Sequence, residues 1–206
     1  MFNILIRTSN RPVYFHDCIR SIESQSYDNY RIIVGNDCMD NYPNHCNPVR
    51  YPMLKCNGTY LKGARSKMLH FPVNIYLNRL MDEVDGGWVI FLDDDDMFTD
   101  SDSLKIINEN MVDTLSVLFW RVNVAGRIIP CDDNWAKRPV LRDISGIGFC
   151  FHSSFIPLLQ YDCYKQSDYR VMSRAYDLLN PIWIDQVLTR TQRDFGVASG
   201  NRKDKC

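Results

Sequence analysis

Short apolar runs along the chain alternate with segments in which apolar residues recur every three or four positions. Residues 2 to 8 (FNILIRT), 30 to 35 (YRIIVG) and 88 to 92 (WVIFL) are runs of the first kind, and their length and flanking Asn, Gly and Pro read as buried strands. After the first of them, Ser9-Asn10-Arg11-Pro12 is a helix-start signal with proline near the first turn, and Tyr14, Phe15, Cys18, Ile19 and Ile22 follow helical spacing. Val73, Tyr76, Leu77, Leu80, Met81 and Val84 make a second amphipathic helix, closed by Gly86-Gly87. The order is βαβαβ. Strands separated by helices pair in parallel through right-handed crossovers. The pattern therefore predicts an α/β fold, a single Rossmann-like domain whose central sheet is mostly parallel and flanked by helices.

The second half of the chain has a mixed texture. The pattern predicts a helix over 101–111, a strand over 114–124, a turn at Ala125-Gly126 and a return strand over 127–130. A glycine-broken strand follows over 145–151. Segments 153–160 and 166–194 read as mainly helical, interrupted at Asn180-Pro181. No internal repeat, low-complexity run or linker divides the chain, so residues 1–206 are expected to form one domain with halves at 1–100 and 101–206.

Composition narrows the class. The 206 residues are 45% hydrophobic and 24% charged with a formal net charge of −1, so no global field favours nucleic acid as a partner. The opening residues begin a strand directly, with no basic or long apolar leader, and no apolar run is long enough to span a membrane. A cytoplasmic protein, or a domain of something larger, is the expectation. The eight cysteines include no C-x-x-C pair and no matching histidine spacing, which argues against zinc and for reduced thiols.

Parallel sheets bind ligands at the carboxyl ends of their strands. Here those ends carry Thr8 to Arg11, Asn36-Asp37 and Asp93 to Asp96, three polar segments that should converge on one crevice. Four successive carboxylates behind WVIFL repel one another and resist desolvation unless a cation stands nearby. A hard divalent ion is the natural partner for carboxylate oxygens, and the candidate ligands lie among Asp93 to Asp96. An EF-hand loop does not fit, since Thr99 stands where glycine is required and no glutamate closes the loop. His152, after the glycine-rich strand, is a further candidate ligand, weighed against a histidine satisfied within the core.

The run ILIRTSNRP followed by CIRSIESQSYDNYRIIVGND resembles the opening of family 2 glycosyltransferases of the GT-A fold: a strand, then P-T-x-N-R, a helix ending in Q-x-Y, and a strand ending in D-D. FLDDDD resembles their D-x-D region, Asn78 stands where the family commonly has its Ala-Arg-Asn asparagine, and IDQVLTR at 184–190 resembles their E-D-x-x-L-x-x-R element. The resemblance implies a nucleotide-sugar donor, UDP-linked by preference, bound with Mn²⁺ or Mg²⁺ in a nucleotide-binding half at 1–100, and a carbohydrate or glycoconjugate acceptor bound by 101–206. By position it implies Thr8, Asn10, Arg11, Asp37 and Asp94 at the donor, Arg65 as the basic residue meeting the nucleotide, Asp93 and Asp95 at the metal, and Asp185 as the base of an inverting transfer. The chain departs from the pattern at Asn36-Asp37, which leaves one carboxylate where two are usual. Alternatives are a metal-dependent nucleotidyltransferase or phosphohydrolase, although RTSNRP holds no glycine for a phosphate cradle, and a non-catalytic nucleotide-sugar-binding module.

Overall fold

A computed structural model describes residues 1–8, 11–36, 49–50 and 74–192. Parallel pairing joins β1 (Phe2–Thr8) to β2 (Tyr30–Asn36) on one side and to β4 (Trp88–Asp93) on the other, with β3 (Val49–Arg50) added beyond β2. Helices α1 (Pro12–Glu23) and α2 (Ile75–Met81) belong to this half. From β4 onward the sheet is mixed. β8 (Phe149–His152) runs antiparallel between β4 and β6 (Ser116–Val124), β7 (Arg127–Ile129) folds back on β6, and β9 (Asn180–Thr191) lies parallel to β6. A short β5 (Asp96–Phe98), one two-residue turn after β4, pairs with the end of β9, so the sheet curls back towards the acidic turn. The order is β3-β2-β1-β4-β8-β6-β9-β5, an α/β architecture whose first half is parallel, as the pattern predicts, and whose second half is mixed.

Period-two alternation assigns each strand residue to a face. Phe2, Ile4, Ile6, Ile90 and Leu92 pack with α1 and α3 (Ser103–Glu109) in one core cluster. Leu5, Val89, Phe91, Phe149 and Phe151 pack with α2 and α4 (Ser167–Leu178) in the other. Both faces of the central strands are thus covered, which is why they read as unbroken apolar runs.

Two expectations are corrected. Residues 180–191 form a strand, not a continuation of the helix. The register between β6 and β9 jumps from Trp120↔Ile184 to Arg121↔Val187, so Asp185 and Gln186 form a bulge. That bulge places buried Ile184 and Leu188 four residues apart and mimics helical spacing. The β-branched and aromatic content of PIWIDQVLTRT favours the strand. The glycine-broken strand also starts later, at Phe149, after a turn over 145–148. The Ala125-Gly126 turn is as expected, with positive φ at both residues (51° and 86°), the geometry that suits a two-residue hairpin.

Candidate active site

The alternation that builds the core also divides the polar residues at its carboxyl edge. Arg7 and Asp93 are register partners and lie on the α4 side, where Arg7 Nε and a terminal nitrogen donate to the two Asp93 oxygens at 2.7 and 2.6 Å. This fork geometry is the strongest form of the pair. Thr8 and Asp94 lie on the α1 side. There Thr8 Oγ1 donates to Asp94 Oδ2 at 2.8 Å, and Arg11 Nε, just ahead of α1, donates to the same oxygen at 2.9 Å. A second Arg11 nitrogen pairs with Asp94 Oδ1, and a third reaches Asp95 at 3.2 Å. Sequence-neighbouring carboxylates are therefore held from opposite faces of the sheet by two different arginines.

Asp96 turns inward beside α1, where its Oδ2 accepts from the Asp93 backbone N–H at 3.2 Å. Gln192, just past β9, secures the turn by donating to the carbonyls of Asp94 and Asp96. Burial pushes the Asp94 carboxyl up to about 7, against the lowering pull of Arg11 and Thr8. Burial also raises Asp96 well above the carboxylate range, reinforced by Asp93 and Asp95. Ligand oxygens of Asp93, Asp95 and Asp96 lie within 4.8 Å of one another. This crowded all-carboxylate set, only partly neutralised by arginine, fits Mg²⁺ or Mn²⁺. The sequence singles out two of these three carboxylates; Asp96 is not evident there because its side chain turns in at the first residue of β5, a strand the pattern does not predict.

Opposite this edge stands a carboxylate that the sequence reading passed over. Asp168 is in the first turn of α4, half-buried, with Arg7 and Asp93 among the charges acting on it. Burial raises its pKa, while Arg7 and then Arg170 work against the rise. Two features fix its place. Gln166, immediately before the helix, takes a left-handed conformation (φ 66°), and a Cβ on Gly146 would lie only 3.0 Å from the Asp168 carboxyl carbon. Any side chain there would require the Asp168 carboxyl to give by a few tenths of an ångström. Beneath Asp168, Tyr161 is buried with its ring edge-on to Phe91 at 5.3 Å, and among the described residues its hydroxyl finds no hydrogen-bond partner. Asn78 of α2 clamps the Tyr161 backbone, donating to its carbonyl and accepting from its N–H, both at 2.8 Å.

Asp185 is placed elsewhere. β8 and β6 stand between β4 and β9, and β9 reaches the acidic turn only at its far end, Thr191. The Asp185 carboxylate pairs with Arg121 Nε at 2.5 Å, and Arg121 also holds Asp132 and the Pro130 carbonyl while lying 4.3 Å over the Trp135 ring. These contacts tie the 130–135 loop to the sheet. A second segment has the spacing of the resembled motif: after its aspartate, E-D-x-x-L-x-x-R has an apolar residue at +3 and arginine at +6. Asp168 has Val171 and Arg174 there, whereas from Asp185 the arginine, Arg190, comes one place early. His152 is not near the acidic cluster, because it pairs with Trp88 at the opposite end of β4 and its ring nitrogen accepts from the Ser154 N–H. Asn10, Asp37 and Arg65 lie outside the described residues.

Among the described residues no helix is long and apolar enough to cross a membrane. Comparison with curated proteins gives no match. Among solved structures, S. aureus TarS 1-349 in complex with UDP-GlcNAc superposes with a TM-score of 0.66 at 17% identity, over 95% of this chain and 59% of that one. The mannosyltransferase PcManGT from Pyrobaculum calidifontis, in complex with GDP-Man and Mn²⁺, gives 0.59 at 13%, over 93% of this chain and 56% of that one. The chain thus spans about three-fifths of the length of these structures and shares their fold. The family model for glycosyl transferase family 2 matches residues 3–126, more than half of the sequence, and the chain belongs to that family.

Proposed function

We propose that the protein transfers a sugar from a nucleoside diphosphate donor, a UDP-sugar by preference, to a hydroxyl of a carbohydrate or glycoconjugate acceptor, with inversion and with a divalent cation. The observation that carries this reading is the convergence of Asp93, Asp95 and Asp96 with Arg7, Arg11 and Asp168 at one sheet edge. Donor complexes of two proteins of the same fold, one with UDP-GlcNAc and one with GDP-Man and Mn²⁺, support the donor class.

Asp93, Asp95 and Asp96 would hold Mn²⁺ or Mg²⁺, which supplies positive charge to the departing diphosphate. Arg11 and Thr8 hold the Asp94 carboxylate at the wall of the crevice and so fix the acidic turn before ligand arrives. Asn10, Asp37 and Arg65 are assigned to the nucleotide by family resemblance. The acceptor hydroxyl must lose a proton as it attacks, and a half-buried carboxylate with a raised pKa is suited to take it. We assign that base to Asp168 in place of Asp185, whose carboxylate is engaged in holding Arg121. Residues 1–100 carry the donor chemistry. Residues 101–206 supply the base and the walls on the acceptor side.

A thermal-shift panel of UDP- and GDP-sugars with Mn²⁺ and with EDTA tests the reading. Stabilisation by a nucleotide sugar in Mn²⁺ and none in EDTA is expected; no stabilisation by any of them would overturn it. A product retaining the donor's anomeric configuration would overturn inversion.

A further inference from the structure

On the far side of the acidic turn, α1, the β5 segment and the end of β9 line an open cavity of about 530 Å³. Arg20 of α1 and Arg190 of β9 line it together, along with Asp17, Thr99, Asp100 and Ser101. Both guanidiniums are exposed, and among the described residues neither forms an ion pair or a hydrogen bond. This sets them apart. Every other arginine whose side chain is described, Arg142 excepted, reaches a carboxylate or a carbonyl oxygen. The cavity wall also carries two carboxylates, Asp17, which lies against His16, and Asp100, which accepts from the Asp102 N–H; neither forms an ion pair with the two guanidiniums.

Two unpaired guanidiniums on the wall of one polar cavity offer donors suited to the oxygens of a phosphate group. We infer that this cavity is a phosphate-binding site, distinct from the carboxylate cluster and independent of a divalent cation. Arg20 and Arg190 supply the charge, and Ser101 shares the wall with Thr99, whose hydroxyl donates to the Val187 carbonyl. Gln192, another wall residue, donates to the Asp94 and Asp96 carbonyls, so a phosphate seated here touches the framework of the acidic turn from behind. The chemistry admits inorganic phosphate or a phosphate carried on a larger molecule.

Titration of the whole protein with inorganic phosphate and with dimethyl phosphate, in EDTA and without nucleotide, tests the assignment independently of any transfer activity. At constant ionic strength phosphate should raise Tm where chloride does not. Arg20→Ala and Arg190→Ala should each weaken the apparent affinity by about tenfold or more, Asp17→Asn should strengthen it, and Asp95→Ala should leave it unchanged. All the substitutions in the cavity wall are at its surface, so folding is preserved. A response to dimethyl phosphate would mark a site for phosphodiesters; a response to inorganic phosphate alone would mark one for the free ion or a monoester. A phosphate shift that persists in the double arginine variant, or one that chloride reproduces, would overturn the assignment.

Discussion

At the scale of single residues the account turns on Asp168 and Tyr161. Asp168→Asn keeps the shape and removes the proton acceptor, so transfer should fall by about 10²-fold or more while donor affinity is retained. Burial holds the wild-type carboxyl above its ordinary range, so the wild-type rate should decline on the acid side at a pH higher than a free carboxylate would give, and the variant should lose that limb. Asp185→Asn should change transfer by no more than a few fold; equal losses in both variants would return the base to the bulge. Tyr161 carries the opposite signature. A buried hydroxyl without a partner costs about 1–3 kcal/mol, so Tyr161→Phe should leave the Tm of the free protein unchanged or higher, and a clear fall in Tm would show that the hydroxyl is satisfied in solution.

At the scale of elements, the segment before α4 is a device for placing one carboxylate. Asn78 fixes Tyr161 from α2, Asp162 grips Arg170 through a two-bond fork, and Gly146 yields space to Asp168. Gly146→Ala should cost about 1–3 kcal/mol of stability, the range for overpacking, and a disproportionate share of activity, because the Cβ displaces the Asp168 carboxylate; unchanged kcat would separate Asp168 from the chemistry. Elements built from regular patterns were legible from the sequence, including β1, α1, β4 and the β6–β7 hairpin. β9 was not, since its two-residue bulge converts strand periodicity into an i, i+4 spacing. β5 is three residues long and follows its predecessor after a two-residue turn, too short for any periodicity to appear. The acidic run 93–96 was legible as a candidate site because consecutive like charges call for a cation. Asp168 was visible only through a motif whose spacing two segments nearly share.

For the whole molecule, the acidic edge stores electrostatic cost in the fold. Asp94 is pushed up to about 7 and Asp96 rises well above its ordinary range. A carboxyl raised in the folded state stabilises the protein while protonated, and that contribution is complete below the unfolded value of about 4 and is lost as pH climbs through the folded one. Cation-free protein should therefore lose stability between about pH 4 and pH 7, by about 3 °C or more in Tm, and saturating Mn²⁺ should abolish the slope; stability rising over that range in EDTA would contradict the burial of these groups. The central claim is that this edge binds a divalent cation through its own carboxylates, and the most direct measurement is a Mn²⁺ titration followed by the paramagnetic resonance of the free ion, on wild type and on Asp95→Ala. Saturable binding to the wild type, weakened at least about tenfold in the variant (about 1.4 kcal/mol), is the predicted result. Identical titrations of the two proteins, or none in the wild type even with UDP present, would contradict it.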